Sequence, residues 1–132
     1  MTRQELKASM TVEMAVIVPI IVFVFMGFVM TLFYYHDKNI IYGTAYEAVV
    51  AGSADMRRKD PVTEEDLETF CKERLRGKCI FMTSQNIDVT IQKEKIIVRI
   101  SSARRGYRLQ IEKEAPVTKP EKKIRDIRRL DI

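Results

Sequence analysis

The chain has 132 residues and a mass of 15.4 kDa, which leaves room for one small folded unit beside a membrane segment. Its formal net charge is +5, but residues 14–33 carry no charged side chain, whereas residues 34–132 hold 21 of the 23 basic and 16 of the 18 acidic residues. This division excludes an ordinary cytosolic enzyme, and two cysteines are too few for a disulfide-dense secreted mini-protein. With a single histidine, we predict no metal site, no cofactor and no catalytic residue.

Residues 14–33 form one apolar run, MAVIVPIIVFVFMGFVMTLF. Twenty helical residues cover about 30 Å, the thickness of the hydrocarbon core of a bilayer. Thirteen of them are Val, Ile, Leu or Phe, and these favour insertion by about 4–8 kcal/mol. The run lacks the polar face of a core helix and is longer than the apolar region of a secretory signal peptide. It therefore predicts an uncleaved membrane-spanning helix within residues 9–35.

The basic residues on either side of the run indicate its orientation. Arg3 and Lys7 precede it, and Lys38 is the one basic residue in the first eighteen or so that follow. This asymmetry places the N-terminal side in the cytoplasm and the C-terminal domain outside. The reverse orientation stays open, because the basic residues of 57–59 and 119–129 would suit an anionic cytoplasmic membrane surface.

A carboxylate lies directly before the apolar run. A short, polar, basic leader ends in a small residue, Ala8; four uncharged residues beginning with Ser9 follow, and then comes Glu13. A carboxylate at this position loses part of its hydration unless it finds a partner. Taken alone, Glu13 could simply mark the interface and favour the N-terminal turn of the helix.

This arrangement resembles the class III, or type IV prepilin, signal. More closely, residues 7–35 resemble the N-terminal signature of TadE-like pseudopilins, minor components of the tight-adherence (Tad) pilus system, in which a small residue, a short gap and a Val-Glu pair precede an apolar run broken by proline. The resemblance implies that a prepilin peptidase cuts between Ala8 and Ser9. It also implies that the freed amine of Ser9 pairs with Glu13 of a neighbouring subunit, in a low-dielectric setting that strengthens the charge pair.

The predicted span contains a proline and continues into a helical extension. Pro19 removes the helical hydrogen bond to the carbonyl of Ala15, which predicts a local kink. Apolar residues with helical spacing recur through residues 36–52, where Gly52 predicts the end of the helix. The first helix is thus expected to run from about residue 9 to residue 51. Two helices, with a break near Tyr35 or Gly43, are the alternative.

Residues 53–115 predict a small α+β head. Thr63 and the acids after it supply a capping box for a second helix, and Gly77 ends that helix. Apolar residues then alternate with polar ones in three segments, with a fourth, shorter segment before them. These segments contain Ile80 and Met82; Ile87, Val89 and Ile91; Ile96, Val98 and Ile100; and Tyr107, Leu109 and Ile111. The predicted fold class is α+β: a long N-terminal membrane-spanning helix leads to one helix packed on a three- to four-stranded antiparallel sheet, with tight turns near 93–94 and 104–106.

The remaining candidate groups carry little chemistry. Cys71 and Cys79 could form a disulfide if the head lies outside the cytoplasm, and the alternative is two buried thiols. His36 is predicted to lie at the membrane interface. Residues 116–132 predict a basic tail with a short helix over 121–130, which is expected to face solvent, lipid or a protein partner rather than nucleic acid.

These observations predict a non-enzymatic, single-pass protein of the cytoplasmic membrane. By resemblance, it is a minor pilin or pseudopilin of the bacterial envelope that takes part in Tad-type pilus assembly. Its expected partners are membrane lipid, the prepilin peptidase, other pilin or pseudopilin subunits and the assembly platform. Two alternatives stay open: a bitopic sensor or regulatory adaptor with a basic cytoplasmic domain, and an accessory pseudopilin of a secretion system.

Overall fold

The computed structural model describes residues 3–117 and 120–130. In chain order its elements are α1 (Arg3–Asp55), α2 (Glu64–Leu75), β1 (Gln85–Ile91), β2 (Lys95–Arg104), β3 (Tyr107–Pro116) and α3 (Pro120–Leu130). The prediction of a long N-terminal helix followed by a small α+β head is confirmed. The chain divides into two compact units after Tyr35, and we call them the N-terminal unit and the head.

Helix α1 is continuous over 53 residues, from Arg3 to Asp55. The alternative of two helices with a break near Tyr35 or Gly43 is therefore wrong. Pro19 lies inside the helix, which continues through it. Residues 36–52, predicted as a helical extension, belong to the same compact unit as the sheet.

Gly52 does not end α1, which continues for three further residues. A Cβ at Gly52 would lie 3.0 Å from Cδ1 of Leu67 and 3.1 Å from Cδ1 of Ile96. The missing side chain thus lets α1 approach α2 and the sheet closely. The prediction of a helix end at Gly52 was wrong, because the glycine serves packing rather than termination.

Helix α2 has the predicted ends. The Thr63 hydroxyl accepts a hydrogen bond from the Asp66 N–H at 3.3 Å, and the Asp66 carboxylate accepts one from the Thr63 N–H at 3.1 Å. Together these two bonds form a capping box. At the other end Gly77 adopts a φ of +71°, the left-handed conformation that commonly follows a helix.

The sheet has three antiparallel strands in the order β1-β2-β3. Alternate residues of the central strand β2 point into the core, where they meet the buried faces of the two helices. The buried apolar residues of the head are Ile41, Ala45, Ala48 and Val49 of α1, Leu67, Cys71 and Leu75 of α2, Val89 of β1, Ile96, Val98 and Ile100 of β2, Leu109 and Ile111 of β3, and Met82 before the sheet. On the opposite face Arg99 lies between its register partners Asp88 and Glu112 and bonds the latter at 2.6 Å.

The fourth strand does not form. Residues 80–82 precede β1 without joining the sheet, so the interpretation of Ile80 and Met82 as a strand was wrong. The hairpin between β2 and β3 does lie at the predicted turn, where Arg105 and Gly106 have φ values of 45° and 85°. Two successive residues with positive φ suit the two-residue turn of an antiparallel hairpin.

Helix α3 (Pro120–Leu130) agrees closely with the predicted short helix. Its apolar residues lie three apart and are all exposed: Ile124 at 56%, Ile127 at 53% and Leu130 at 86%. The same helix carries exposed basic side chains at Lys122, Arg125, Arg128 and Arg129. Two parts of the predicted basic tail, residues 118–119 and 131–132, lie outside the described residues.

Candidate functional site

The predicted cleavage site lies within α1. Ala8 and Ser9 are both exposed and both helical. Ala8 is the sixth residue of the helix, so it lies just beyond the first four residues, whose N–H groups have no helical acceptor.

Glu13 lies one turn further along α1 and is also exposed. Its neighbours Val12 and Val16 are 66% and 61% exposed, so the carboxylate stands on a largely apolar surface. No hydrogen bond or ion pair of the Glu13 carboxylate is found among the described residues.

The N-terminal unit exposes apolar side chains on every side of α1. Residues 20–26 are seven consecutive large apolar residues, each more than half exposed, and seven residues make almost two helical turns. The hydroxyl of Thr31 donates to the carbonyl of Gly27 at 2.8 Å, so this polar group is satisfied within the helix. By length and composition α1 is able to cross a membrane.

The head contains a buried carboxylate at the start of its part of α1. The Asp37 side chain has no exposed surface. One oxygen accepts a hydrogen bond from the N–H of Ile80 at 2.9 Å, and the other accepts bonds from Phe81 and Met82, both at 2.6 Å. Three consecutive backbone donors thus converge on one carboxylate, in the manner of an anion-binding nest.

These bonds keep Asp37 ionised. Burial by itself raises the pKa of the carboxyl, but hydrogen bonds from Met82, Ile80, the His36 side chain and Phe81 oppose that effect. The pKa therefore lies below its ordinary value of 3.8. The charged group satisfies backbone donors that a fourth strand would otherwise have paired.

Residues of β2 also form hydrogen bonds with the segment that Asp37 binds. The Ser102 hydroxyl donates to the carbonyl of Ser84 at 2.6 Å, and the Arg104 guanidinium donates to the carbonyl of Phe81 at 2.8 Å. The same guanidinium lies 5.5 Å from the centroid of the Phe81 ring. The arrangement therefore joins three parts of the head: α1, the segment before β1, and β2.

Sequence reasoning missed Asp37 as a site. A signal was present, because Asp37 precedes the buried residues Ile41, Ala45 and Ala48 at helical spacing and so shares their face. An acid on the core-facing side of a helix requires a partner. His36, predicted at the membrane interface, has its Nδ1 3.1 Å from Oδ1 of Asp37 and a side chain 46% exposed.

Both cysteines are free thiols, Cys71 buried and Cys79 half-buried. Burial, followed by the charge of Glu68, raises the pKa of Cys71 to about 11. Burial and the charge of Asp37 also raise the pKa of Cys79, against an opposing hydrogen bond with Gln85. Neither thiol is a good nucleophile at neutral pH, because nucleophilicity requires the thiolate. The disulfide stays a prediction.

No protein-family model matches this chain, and no curated protein or solved structure matches it. Within residues 3–117 and 120–130, no group of three His, Cys, Asp or Glu side chains is placed to hold a metal ion. The described features on which a functional proposal can be built are the exposed apolar part of α1, Glu13 and the buried Asp37.

Proposed function

We propose that this chain is a structural subunit anchored in the cytoplasmic membrane by α1, and that it acts as a TadE-like minor pseudopilin in Tad-type pilus assembly. The observation that carries the proposal is the outward-facing apolar surface of residues 14–33, on the same continuous helix that enters the head. Apolar surface of this extent is unfavourable in water and is stable in hydrocarbon.

The membrane anchorage is supported by the internal bonding of the apolar segment. An α-helix satisfies its backbone groups internally, which the interior of a bilayer requires. The Thr31 hydroxyl is satisfied in the same way. Four residues after the run ends at Phe33, Asp37 binds the segment before β1, so the head begins where the anchoring segment stops.

The pilin assignment is supported by the leader and by Glu13. A prepilin peptidase would cut between Ala8 and Ser9 and leave the anchoring helix intact. The Glu13 carboxylate would then meet the Ser9 amine of a neighbouring subunit. This pairing would offset the cost of dehydrating the carboxylate and would fix the register between helices. The proposed partners are membrane lipid, the prepilin peptidase, other pilin or pseudopilin subunits and the assembly platform.

The processing step is tested by the mass of the mature protein, measured with and without the prepilin peptidase. We expect a shorter chain that begins at Ser9 when the peptidase is present and an uncut chain when it is absent. An identical mass under both conditions would contradict the assignment.

The role of Glu13 is tested by Glu13→Gln, with Glu5→Gln as the matched control. Both changes remove one carboxylate, but Glu5 belongs to the leader that processing would discard. We expect Glu13→Gln to reduce recovery of the subunit in assembled pili, and Glu5→Gln to leave it unchanged. Equal recovery in the two variants would remove the basis for inter-subunit pairing.

The side of the membrane on which the head lies distinguishes the proposed pseudopilin from a regulatory adaptor with a cytoplasmic head. Cys71 is a poor reporter because it is buried, whereas Lys93 lies exposed in the turn between β1 and β2. In intact cells, an impermeant maleimide should label Lys93→Cys and leave the parent chain less labelled. Labelling only after the membrane is opened would favour the adaptor.

A second alternative is an accessory pseudopilin of a secretion system. In that case deletion of the protein would abolish secretion rather than pili.

A further inference from the structure

The side of α1 that faces away from the core of the head carries an apolar stripe. It consists of Tyr42, Tyr46 and Val50, and we call it the outer stripe. The three residues are 48%, 57% and 47% exposed. Their spacing of four places each about one turn after the last, on one side of the helix. A solvated helix face normally carries charged side chains, so an apolar stripe there indicates an interaction surface.

Two charged side chains that border the outer stripe, Glu47 and Lys113, make contacts within the head. The Glu47 carboxylate accepts a hydrogen bond from the Arg74 guanidinium at 2.8 Å. The Lys113 ammonium lies 4.0 Å from the centroid of the Tyr42 ring and donates to its hydroxyl at 2.8 Å. Lys113 borders one edge of the stripe. If two stripes packed together about a two-fold axis, the two copies of Lys113 would lie on opposite edges of the contact. The Lys113 charge is not neutralised, because Tyr42 is uncharged, but its two copies would not face each other across the pair.

The outer stripe extends by one residue toward the start of the head. Positions 39, 42, 46 and 50 follow one another in steps of three, four and four, which keeps them on one side of the helix. Asn39 is the polar member of this series, and it is exposed. A single asparagine in such a seam fixes the register between two helices and limits their number.

We propose that the outer stripes of two copies of this chain pack against each other in parallel, as a symmetric contact. Gly43 lies beside the stripe, and no atom lies within 4 Å of the place where its Cβ would be, so a second helix can approach there. The parallel direction of the two helices rests on the proposed function, because the heads of two copies anchored in one membrane lie on the same side of that membrane.

The stripe is too small to hold a dimer in free solution. Stable interfaces bury about 800 Å² on each partner, more than three side chains provide. Anchorage in one bilayer raises the effective concentration of the second copy, so a small contact can suffice there. The pairing is accordingly expected in the membrane-bound chain.

The other apolar surface that could cover the stripe is the seam of α3, formed by Ile124, Ile127 and Leu130. This helix is basic, and the acid beside the stripe is Glu47, which Arg74 already neutralises. The charges therefore favour an identical, weakly charged stripe over α3 as the occupant.

The test uses the full chain, with Cys71→Ala and Cys79→Ala, in vesicles at a low ratio of protein to lipid. Tyr46→Cys places a thiol at the centre of the stripe, and Gln110→Cys places one on the exposed face of the sheet as a control. Copper-phenanthroline with dissolved oxygen oxidises two facing thiols to a disulfide. We expect at least about tenfold more cross-linked dimer from Tyr46→Cys than from Gln110→Cys. Adding Val50→Glu to the Tyr46→Cys chain should lower its yield to the control level, because it puts like charges face to face.

Four results would overturn the pairing. Equal yields from the two cysteine positions would show random collision. An undiminished yield after Val50→Glu would show contact through another surface. A disulfide formed within one chain in the double variant Tyr46→Cys with Ile127→Cys, without dimer, would show that α3 covers the stripe. A chain that fails to float with the vesicles would overturn the anchorage and the pairing together, whereas a floating chain that does not cross-link overturns the pairing alone.

Discussion

Residues 14–33 and residues 36–55 belong to one helix, yet they dispose their apolar side chains differently. In the first stretch these side chains point outward on every side, and residues 20–26 are all more than half exposed. In the second stretch they gather on one face, where Ile41, Ala45 and Ala48 are fully buried. The distribution of apolar residues, rather than helix formation, thus determines whether a segment builds its own core or needs an external apolar phase.

The largest expected effect concerns Asp37, which joins the second stretch to the rest of the head. Asp37→Leu would leave three backbone N–H groups without their acceptor, and we expect a loss of about 3–5 kcal/mol in the free energy of unfolding. Asp37→Asn keeps an acceptor and should lose less, about 1–2 kcal/mol. Urea unfolding of the full chain in nanodiscs measures both. Asp88→Asn, on the exposed face of the sheet, is the control and should change little.

A charge in the first stretch should act on membrane insertion instead. Phe23 is 78% exposed, so in water Phe23→Lys would cost almost nothing, but at the centre of a bilayer it should reduce insertion by about 3 kcal/mol. Ala54→Lys puts the same charge on an exposed position of the second stretch and should leave insertion unchanged. The fraction of protein that resists alkaline extraction from membranes measures the difference. Equal fractions for both variants would remove the distinction between the two stretches.

An intermediate effect is expected where α1 contacts α2 and the sheet. Gly52→Val would drive a side chain into Leu67 and Ile96, and we expect a loss of about 1–3 kcal/mol in unfolding free energy. Ala54→Val, two residues later and exposed, provides the matched control. The midpoints of urea unfolding compare the two, and a shift of similar size in both would point to β-branching in a helix rather than to packing.

The smallest effect is a dependence on pH. The folded-state pKa of Asp37 lies below its ordinary value of 3.8, so its contribution to stability is present above that value and is lost as the pH falls through the folded-state pKa. Stability measured from pH 7 to pH 3 should therefore decline less steeply for Asp37→Asn than for the parent chain. Hydrogen bonds from Thr63 also lower the pKa of Asp66, so Asp66→Asn is needed to separate the two contributions.

The elements that the sequence predicts well are those with local signals. The Thr63 capping box, the Gly77 helix end and the alternating strands all depend on residues within a few positions of one another, and all are present. The long helix was predicted as well, because its apolar spacing continues without a breaking signal through Gly43.

The failures share a physical cause, which is contact between residues distant in sequence. Ile80 and Met82 alternate as a strand does, but their N–H groups bond a carboxylate more than forty residues earlier. Gly52 has the composition of a helix end, but Leu67 and Ile96 use its lack of a side chain. The assembly role of Glu13 and the processing of Ala8 and Ser9 depend on other molecules, so they stay predictions.

The position of Asp37 has a consequence for mechanical load. A force applied to the apolar end of α1 passes along the helix and reaches the bonds to Ile80, Phe81 and Met82 before it reaches the hydrogen bond from Ser53 to the Pro116 carbonyl. All three bonds end on one carboxylate, so replacing Asp37 removes them together. The tension at which the head opens should therefore fall when this carboxylate is replaced, even where the resting protein tolerates the change.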